Sequence, residues 1–185
     1  MEVMKIAVIV GSLRKESISR ATARALMAVA PESLRLEILE IGGLPMYNQD
    51  LEESLPPSWR EFRERLRTFD GFLFVTPEHN RSIPAVLKNA IDVGSRPYGQ
   101  NGWNGKPGAI VSVTTGALGA FGANHHLRQS LVFVNVPVMA QPEAYIGGAL
   151  KLLDERGELA NESTREFLKT FMAQFAIWVQ RNSLR

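Results

Sequence analysis

The sequence predicts an α/β fold, a three-layer sandwich in which helices cover both faces of a five-stranded parallel sheet of order 2-1-3-4-5. Continuous apolar runs that stop at turn residues are typical of strands buried on both faces. Amphipathic segments separate these runs, and strands that alternate with helices favour a parallel sheet. In such sheets, ligands bind beyond the carboxyl ends of the strands, where the strand order reverses.

Five strands are expected. The first and third are uninterrupted apolar runs, and the fourth is a further buried-strand candidate. The second alternates apolar and charged residues as an edge strand does, and the fifth carries a proline near its start. Their predicted positions are Ile6–Val10, Leu34–Leu39, Phe72–Val75, Ala109–Val113 and Val136–Met139. The loops after the first, third and fourth strands therefore lie at the expected ligand-binding edge.

Three helices are predicted from apolar residues that recur at spacings of three and four. The first stripe runs over Leu55–Phe69, and the last over Leu168–Val179 with Asn161 as its candidate cap. Between them, Ser82 is read as an N-cap with Pro84 in the first turn. Four arginines of the first helix alternate with glutamates, and we interpret them as a solvated face: Arg60, Arg63, Arg65 and Arg67.

Composition excludes several classes of function. The chain has 185 residues, 45% of them apolar, and is expected to form one domain over residues 1–185. It has no cysteine, which excludes disulfides, thiol catalysis and thiolate metal sites, and no bound metal is expected. A net charge of +2 without a basic face predicts no nucleic-acid partner. Its apolar runs are too short for a membrane span or a signal-peptide core, so a cytoplasmic location without membrane partners is expected.

The loop after the first strand, Gly11–Arg20, leads into a helix. Its hydroxyls (Ser12, Ser17 and Ser19) and Arg14 surround a helix N-terminus, which offers free N–H groups and a positive dipole end. A phosphate monoester needs such donors together with a charged partner. The loop matches neither a Walker A motif nor a dinucleotide fingerprint. A serine-rich turn with a capping serine is the alternative, and the position after the first strand favours phosphate.

Two further loops lie at the same predicted edge. In Thr76–Pro84, two prolines bracket a polar tip of Glu78, His79 and Asn80, and a stiff backbone of this kind can hydrogen-bond the edge of a flat heterocycle. Thr114–Gly122 contains three glycines, which let the backbone approach a ligand closely. A proline-capped helix start and a flexible turn are the respective alternatives.

Together these loops resemble the NADPH-dependent FMN reductase family, which includes bacterial quinone and chromate reductases. The resemblance runs from about residue 5 to residue 142. This sequence departs from the family pattern at His79, where tyrosine is usual, and at Ser19, where asparagine is frequent. The segments that carry it, the second being the most specific, are Gly11-Ser12-x-Arg14-x-x-Ser17, Thr76-Pro77-Glu78-x-Asn80-x-Ser82-x-Pro84-x-x-Leu87-Lys88-Asn89-Ala90-Ile91-Asp92, and the glycine loop 116–122.

The resemblance implies a flavodoxin-like fold that binds FMN without a covalent bond. The residues it implies for the phosphate are Ser12, Arg14, Ser17, Ile18 and Ser19. Those it implies for the isoalloxazine ring are Pro77, Glu78, His79, Asn80, Thr115 and Gly116. It also implies a homodimer or homotetramer with the flavin near a subunit interface, and loop 46–50 resembles the family segment that reaches toward the neighbour's site.

The implied activity is an FMN-dependent NAD(P)H oxidoreductase that passes electron pairs to quinones or similar small acceptors by a ping-pong mechanism. FMN carries the chemistry, so no catalytic side chain is required, and His79 is the one candidate hydrogen-bond or proton donor. Arg81 and Arg96 are candidates for the NADPH phosphate by proximity to the flavin loops. Three alternatives stay open: a flavodoxin-type electron carrier, a non-catalytic FMN-binding protein, and a receiver domain, which needs an aspartate where Thr76 stands.

Overall fold

The sheet has the predicted topology. The computed structural model describes residues 3–183, and within that range five parallel strands form one sheet of order β2-β1-β3-β4-β5. The strands are β1 Met4–Val10, β2 Leu34–Ile38, β3 Gly71–Thr76, β4 Gly108–Val113 and β5 Ala144–Ile146. Because the order reverses between β1 and β3, their carboxyl ends border a crevice suited to a ligand.

Helices cover both faces of the sheet. Within residues 3–183 the α-helices are α1 Ile18–Ala28, α2 Pro57–Arg67, α3 Ala85–Gly94, α4 Phe121–Phe133 and α5 Glu162–Asn182. Along β1, Ile6 and Val8 pack with α1 and α5, whereas Ala7 and Ile9 pack with α2, α3 and α4. Both sides of the central strands are therefore buried, which explains their continuous apolar runs. None of these helices is long and apolar enough to cross a membrane.

The predicted fifth strand was wrong. Val136–Met139 makes a single bridge to the sheet, at Gly108 at the start of β4, and the fifth strand is Ala144–Ile146. The N–H of Val136 is taken by the last turn of α4, and Pro137 has no N–H to donate. The first two residues of the segment therefore lack the N–H donors that an extended ladder requires.

The two predicted helix starts had different outcomes. Asn161 caps α5, because its side chain accepts a hydrogen bond of 3.0 Å from the N–H three residues later. Ser82 does not cap α3, which begins at Ala85 after Pro84 without a side-chain cap. The backbone of Ser82 is engaged in the preceding turn, and its hydroxyl lies 3.0 Å from Nδ1 of His126.

The interpretation of the α2 arginines as a solvated face was wrong for Arg63. This residue is 4% exposed, and its Nε donates a hydrogen bond of 2.8 Å to the carbonyl of Val93. Its two terminal nitrogens donate to both carboxylate oxygens of Glu52 at 3.0 and 2.6 Å. The Nε bond ties α2 to the end of α3, and the bidentate pair ties it to the 3₁₀ helix Gln49–Glu52. The remaining arginines of that group are exposed or half-buried.

Candidate functional site

A cleft of about 610 Å³ opens at the carboxyl ends of β1, β3 and β4. Its walls are the loop after β1 with the first turn of α1, the loop after β3, and the start of the loop after β4. Eight of the eleven residues singled out from the sequence line this cleft: Ser12, Arg14, Ile18, Ser19, Pro77, Glu78, His79 and Thr115.

The other three sequence-predicted residues do not line the cleft. Ser17 caps α1, because its hydroxyl accepts a hydrogen bond of 3.1 Å from the N–H of Arg20. Asn80 lies at the tip of the turn after β3, and the carbonyl of Gly116 accepts from the N–H of Gly148. Ser17 thus has the capping role that the sequence left open as an alternative.

The first turn of α1 offers unused hydrogen-bond donors to the cleft. Ser17 takes the third and fourth N–H groups, whereas those of Ile18 and Ser19 have no acceptor among the described residues. Ser19 is 2% exposed, and within residues 3–183 its hydroxyl has no partner either. Arg14 lines the same end and forms no ion pair with a described residue. Free N–H groups, a helix dipole and an unpaired guanidinium together suit a phosphate.

The loop after β3 is held in a tight turn. His79 and Ser82 exchange two backbone hydrogen bonds, each of 2.9 Å. The two residues between them, Asn80 and Arg81, have φ angles of 51° and 66°. Residues other than glycine reach this left-handed region at a cost of about 1–3 kcal/mol, which the surroundings must offset. The neighbouring contacts therefore have to hold this turn against the wall of the cleft.

Glu78 supplies one of these contacts. One carboxylate oxygen lies 3.3 Å from Nη1 of Arg81, and the other accepts a hydrogen bond of 3.1 Å from the N–H of Ala123. It thereby caps α4, whose own N-cap residue, Ala120, offers no side-chain acceptor. A Cβ on Gly122 would lie 2.8 Å from the carbonyl oxygen of Arg81, so only glycine permits this approach. The turn after β3 and the start of α4 are locked together.

Seven further residues line the cleft that the sequence did not single out as a site. Gly11 and Pro84 stand in the segments that carry the family resemblance, and the others could have been found by their place beside the predicted residues, at strand ends or in the first turn of α3. They are mostly apolar and suit a flat ring: Gly11, Leu13, Pro84, Ala85, Val86, Val113 and Thr114.

A second cavity of about 590 Å³ adjoins the cleft at His79 and Ala85. It lies between the loop after β3 and α4, and Lys88, Ser82 and His126 are part of its lining. His79 therefore stands between two cavities, where it can contact a molecule in either.

The cleft combines a cationic, donor-rich end with an apolar, backbone-rich middle, an arrangement that fits a phosphate joined to a planar ring, as in FMN. The sequence profile of the NADPH-dependent FMN reductases matches residues 4–151. The chain belongs to this family. This FMN reductase is accordingly a flavoenzyme that uses FMN with NADPH or NADH, and its fold is flavodoxin-like.

Similar proteins extend over the whole of this FMN reductase. A quinone reductase of Pseudomonas putida is 61% identical over 182 residues, which cover 98% of this chain and 97% of the relative. A 2-hydroxy-1,4-benzoquinone reductase of a Burkholderia species is 45% identical over 96% of this chain and 97% of its own. The solved structure of FerB, a flavoenzyme NAD(P)H:(acceptor) oxidoreductase from Paracoccus denitrificans, superposes with a TM-score of 0.92 at 40% identity, covering 98% of this chain and 100% of that one.

Proposed function

We propose that this FMN reductase is a cytoplasmic quinone reductase that passes electron pairs from NAD(P)H to quinones or similar small acceptors. The observation that carries the proposal is the cleft itself, whose phosphate-binding end leads to a ring-sized middle that opens into a second cavity at His79. The acceptor class is supported by the 61% identity to a quinone reductase. Residues 1–185 serve as one catalytic domain.

The phosphate end is built to hold FMN by its charge. Arg14 donates a charge-assisted hydrogen bond to the phosphate, and Ser12 and Ser19 donate their hydroxyls. The free N–H groups of Ile18 and Ser19 complete the set, with the positive end of α1 behind them. Ser17 contributes indirectly, because its cap keeps this helix end in place.

The ring end relies on backbone groups more than on side chains. FMN bound here would supply the two-electron redox chemistry between NAD(P)H and the acceptor. Since the carboxylate of Glu78 is committed to α4, the loop after β3 presents its backbone to the ring. The left-handed Asn80 keeps that backbone in position. Of the residues expected at the ring, Pro77, Glu78, His79 and Thr115 line the cleft, whereas Asn80 and Gly116 adjoin them in the same two loops.

We propose that NAD(P)H and the acceptor occupy the open side of the ring one after the other, which would give ping-pong kinetics. When acceptor is varied at several NAD(P)H concentrations, parallel double-reciprocal lines are expected. Stopped-flow spectra should pass from oxidised to fully reduced cofactor in one phase. Intersecting lines would contradict the ping-pong order, and accumulation of a one-electron reduced species would favour the electron-carrier alternative. A protein that holds FMN but turns over no acceptor would be the non-catalytic alternative.

We propose that His79 is part of the pocket wall. Its role can be tested by measuring the two half-reactions separately: reduction of the flavin by NAD(P)H, and reduction of the acceptor by the flavin. His79→Gln and His79→Tyr are expected to leave both half-reactions and their pH profiles unchanged, since the flavin and solvent can supply the proton. If His79 were a general acid, the acceptor half-reaction would slow in both variants by about 10²–10⁴-fold.

We further propose that the enzyme is a homodimer or homotetramer with the flavin near an interface. The apolar face of α2 is buried in the chain's own core, whereas the segment 118–134, which includes α4, keeps large apolar side chains exposed. Phe133 is 86% exposed and Val132 is 74% exposed, and such patches mark interaction sites. Light scattering at micromolar concentration should give at least twice the chain mass, and Phe133→Glu should lower it. A monomeric wild-type protein would contradict this.

A further inference from the structure

A third cavity of about 610 Å³ lies beside α1 and has no part in the mechanism above. It shares Arg14, Ile18 and Thr115 with the flavin cleft, so the two are continuous at the phosphate end. Its opposite wall belongs to residues 150–157, which follow β5. We call this cavity the basic cleft.

Cations dominate the lining of the basic cleft. Two acidic side chains, Glu16 and Glu155, face five basic ones: Arg14, Lys15, Arg20, Arg24 and Arg156. Arg20 is engaged by Glu40 through hydrogen bonds of 2.7 and 2.8 Å, which lower the pKa of that carboxyl, and Arg156 pairs with Asp154. Arg14, Lys15 and Arg24 form no ion pair within residues 3–183. Arg14, Lys15 and Arg24 thus outnumber the carboxylates of Glu16 and Glu155, which form no ion pair with them, and this excess of positive charge points to an anionic ligand.

We propose that the basic cleft binds the 2′-phosphate of NADPH through Arg24 and Lys15, and that it makes the enzyme prefer NADPH over NADH. This inference rests on the proposed function. With Arg14 committed to the flavin phosphate, Arg24 and Lys15 are left as two unpaired cations. A phosphate monoester carries about −1.5 to −2 charges at pH 7, which matches them. Arg24 lies six residues beyond Ile18, about 9 Å along α1, so it is placed for a second phosphate.

The adenylate half of FAD would enter the same cleft through the flavin phosphate, but its charge fits less well. FMN carries a monoester of up to about two negative charges, and the pyrophosphate of FAD also carries about two. FAD therefore adds no charge for Lys15 and Arg24, whereas NADPH brings a separate dianion. The charge of the basic cleft favours NADPH.

The two arginines suggested by the sequence for the NADPH phosphate already have partners. Arg81 lies 3.3 Å from Glu78. The guanidinium of Arg96 lies over two rings, 5.8 Å from the centroid of Tyr47 and 5.5 Å from that of Tyr98. Arg24, exposed and unpaired among the described residues, is the freer cation.

Steady-state kinetics of the holoenzyme test the assignment. Arg24→Ala should raise the KM for NADPH about tenfold or more, the effect of one lost charge-assisted hydrogen bond, with kcat and the KM for NADH unchanged. Arg24→Glu should raise it further, because it places a carboxylate beside the phosphate. Arg60→Ala removes an exposed arginine on α2, on the opposite face of the sheet, and should change neither constant. An equal rise in both KM values for Arg24→Ala would overturn the proposal.

Calorimetric titration gives a readout independent of turnover. The wild-type holoenzyme should bind 2′,5′-ADP more tightly than 5′-AMP, and Arg24→Ala should abolish the difference. Equal affinities in the wild type would overturn the proposal. So would an Arg24→Ala variant whose apoprotein loses affinity for FAD relative to FMN while its NADPH-to-NADH ratio is unchanged. A holoenzyme that oxidises neither nucleotide would contradict the proposed function, and the titration would still decide the ligand of the basic cleft.

Discussion

The Arg14→Ala variant is expected to bind FMN about 10- to 100-fold more weakly than the wild type. Arg14 lines the phosphate end of the cleft and forms no ion pair with a described residue, so its charge is available to a ligand. A hydrogen bond to a charged group contributes about 1.5–3 kcal/mol, and 1.4 kcal/mol corresponds to a factor of ten in affinity. Titration of the apoprotein with FMN, followed by quenching of flavin fluorescence, measures this change directly.

Two companion variants make the result specific. Arg35→Ala removes an exposed arginine of β2 that does not line the cleft, and its affinity for FMN should be unchanged. Arg14→Lys keeps the charge but loses the planar fork, so an intermediate affinity is expected. Added salt should weaken the wild type more than Arg14→Ala, because it screens the charge interaction that the variant lacks. If Arg14→Ala binds FMN like the wild type, Arg14 has no contact with the phosphate.

The sheet was predictable where its strands are buried on both faces. β1, β3 and β4 are central, and their largely apolar sequences carry a strong signal. β5 is an edge strand of three residues, Ala144–Ile146, whose middle residue is half-buried. The segment 136–139 has three apolar residues beside its proline, and in the structure the side chains of Val136 and Met139 are each only 3% exposed. An apolar pattern indicates that a segment is buried, but not that it pairs with a neighbouring strand. The segment 136–139 is buried and makes only a single bridge, so its pattern was wrongly interpreted as a strand.

The location of the candidate site was predictable from its loops, but the roles of its side chains were not. Ser17 caps α1 and Glu78 caps α4, although both stand in motifs that suggested ligand contacts. Serine and carboxylate side chains satisfy helix N–H groups as readily as they bind ligands, so residue type does not separate the two roles. Arg24 and Arg156 border one cavity from distant positions in the chain, and no local pattern reveals that.

Asn89 is another residue whose motif suggested a ligand contact but whose role is structural. It belongs to the most specific motif, yet it does not line the flavin cleft. It is 4% exposed, and its side chain holds the segment 44–47 against α3. Oδ1 accepts a hydrogen bond of 2.7 Å from the N–H of Tyr47, and Nδ2 donates to the carbonyls of Leu44 and Pro45 at 3.2 and 3.0 Å. Trp59 reinforces the segment, since its Nε1 also donates to Pro45 at 3.0 Å.

Asn89→Ala is therefore expected to lower the free energy of unfolding by about 2–4 kcal/mol. It leaves the N–H of Tyr47 and the carbonyl of Leu44, both in half-buried residues, without their partners, at about 1–3 kcal/mol for each group, while Trp59 still serves Pro45. In a protein of this size the Tm should fall by roughly 5–15 °C. Urea denaturation at fixed protein and FMN concentration measures the loss.

The neighbouring residue provides a matched control. Lys88→Ala breaks an exposed ion pair with Asp92 on the same helix, and such pairs contribute about 0–1 kcal/mol. Its unfolding transition should therefore stay close to that of the wild type. Because Asn89 acts on the segment 44–47 and not on the cleft, FMN affinity measured below the unfolding transition should be unchanged in Asn89→Ala. A variant with wild-type stability and weakened FMN binding would instead mean that Asn89 serves the flavin site.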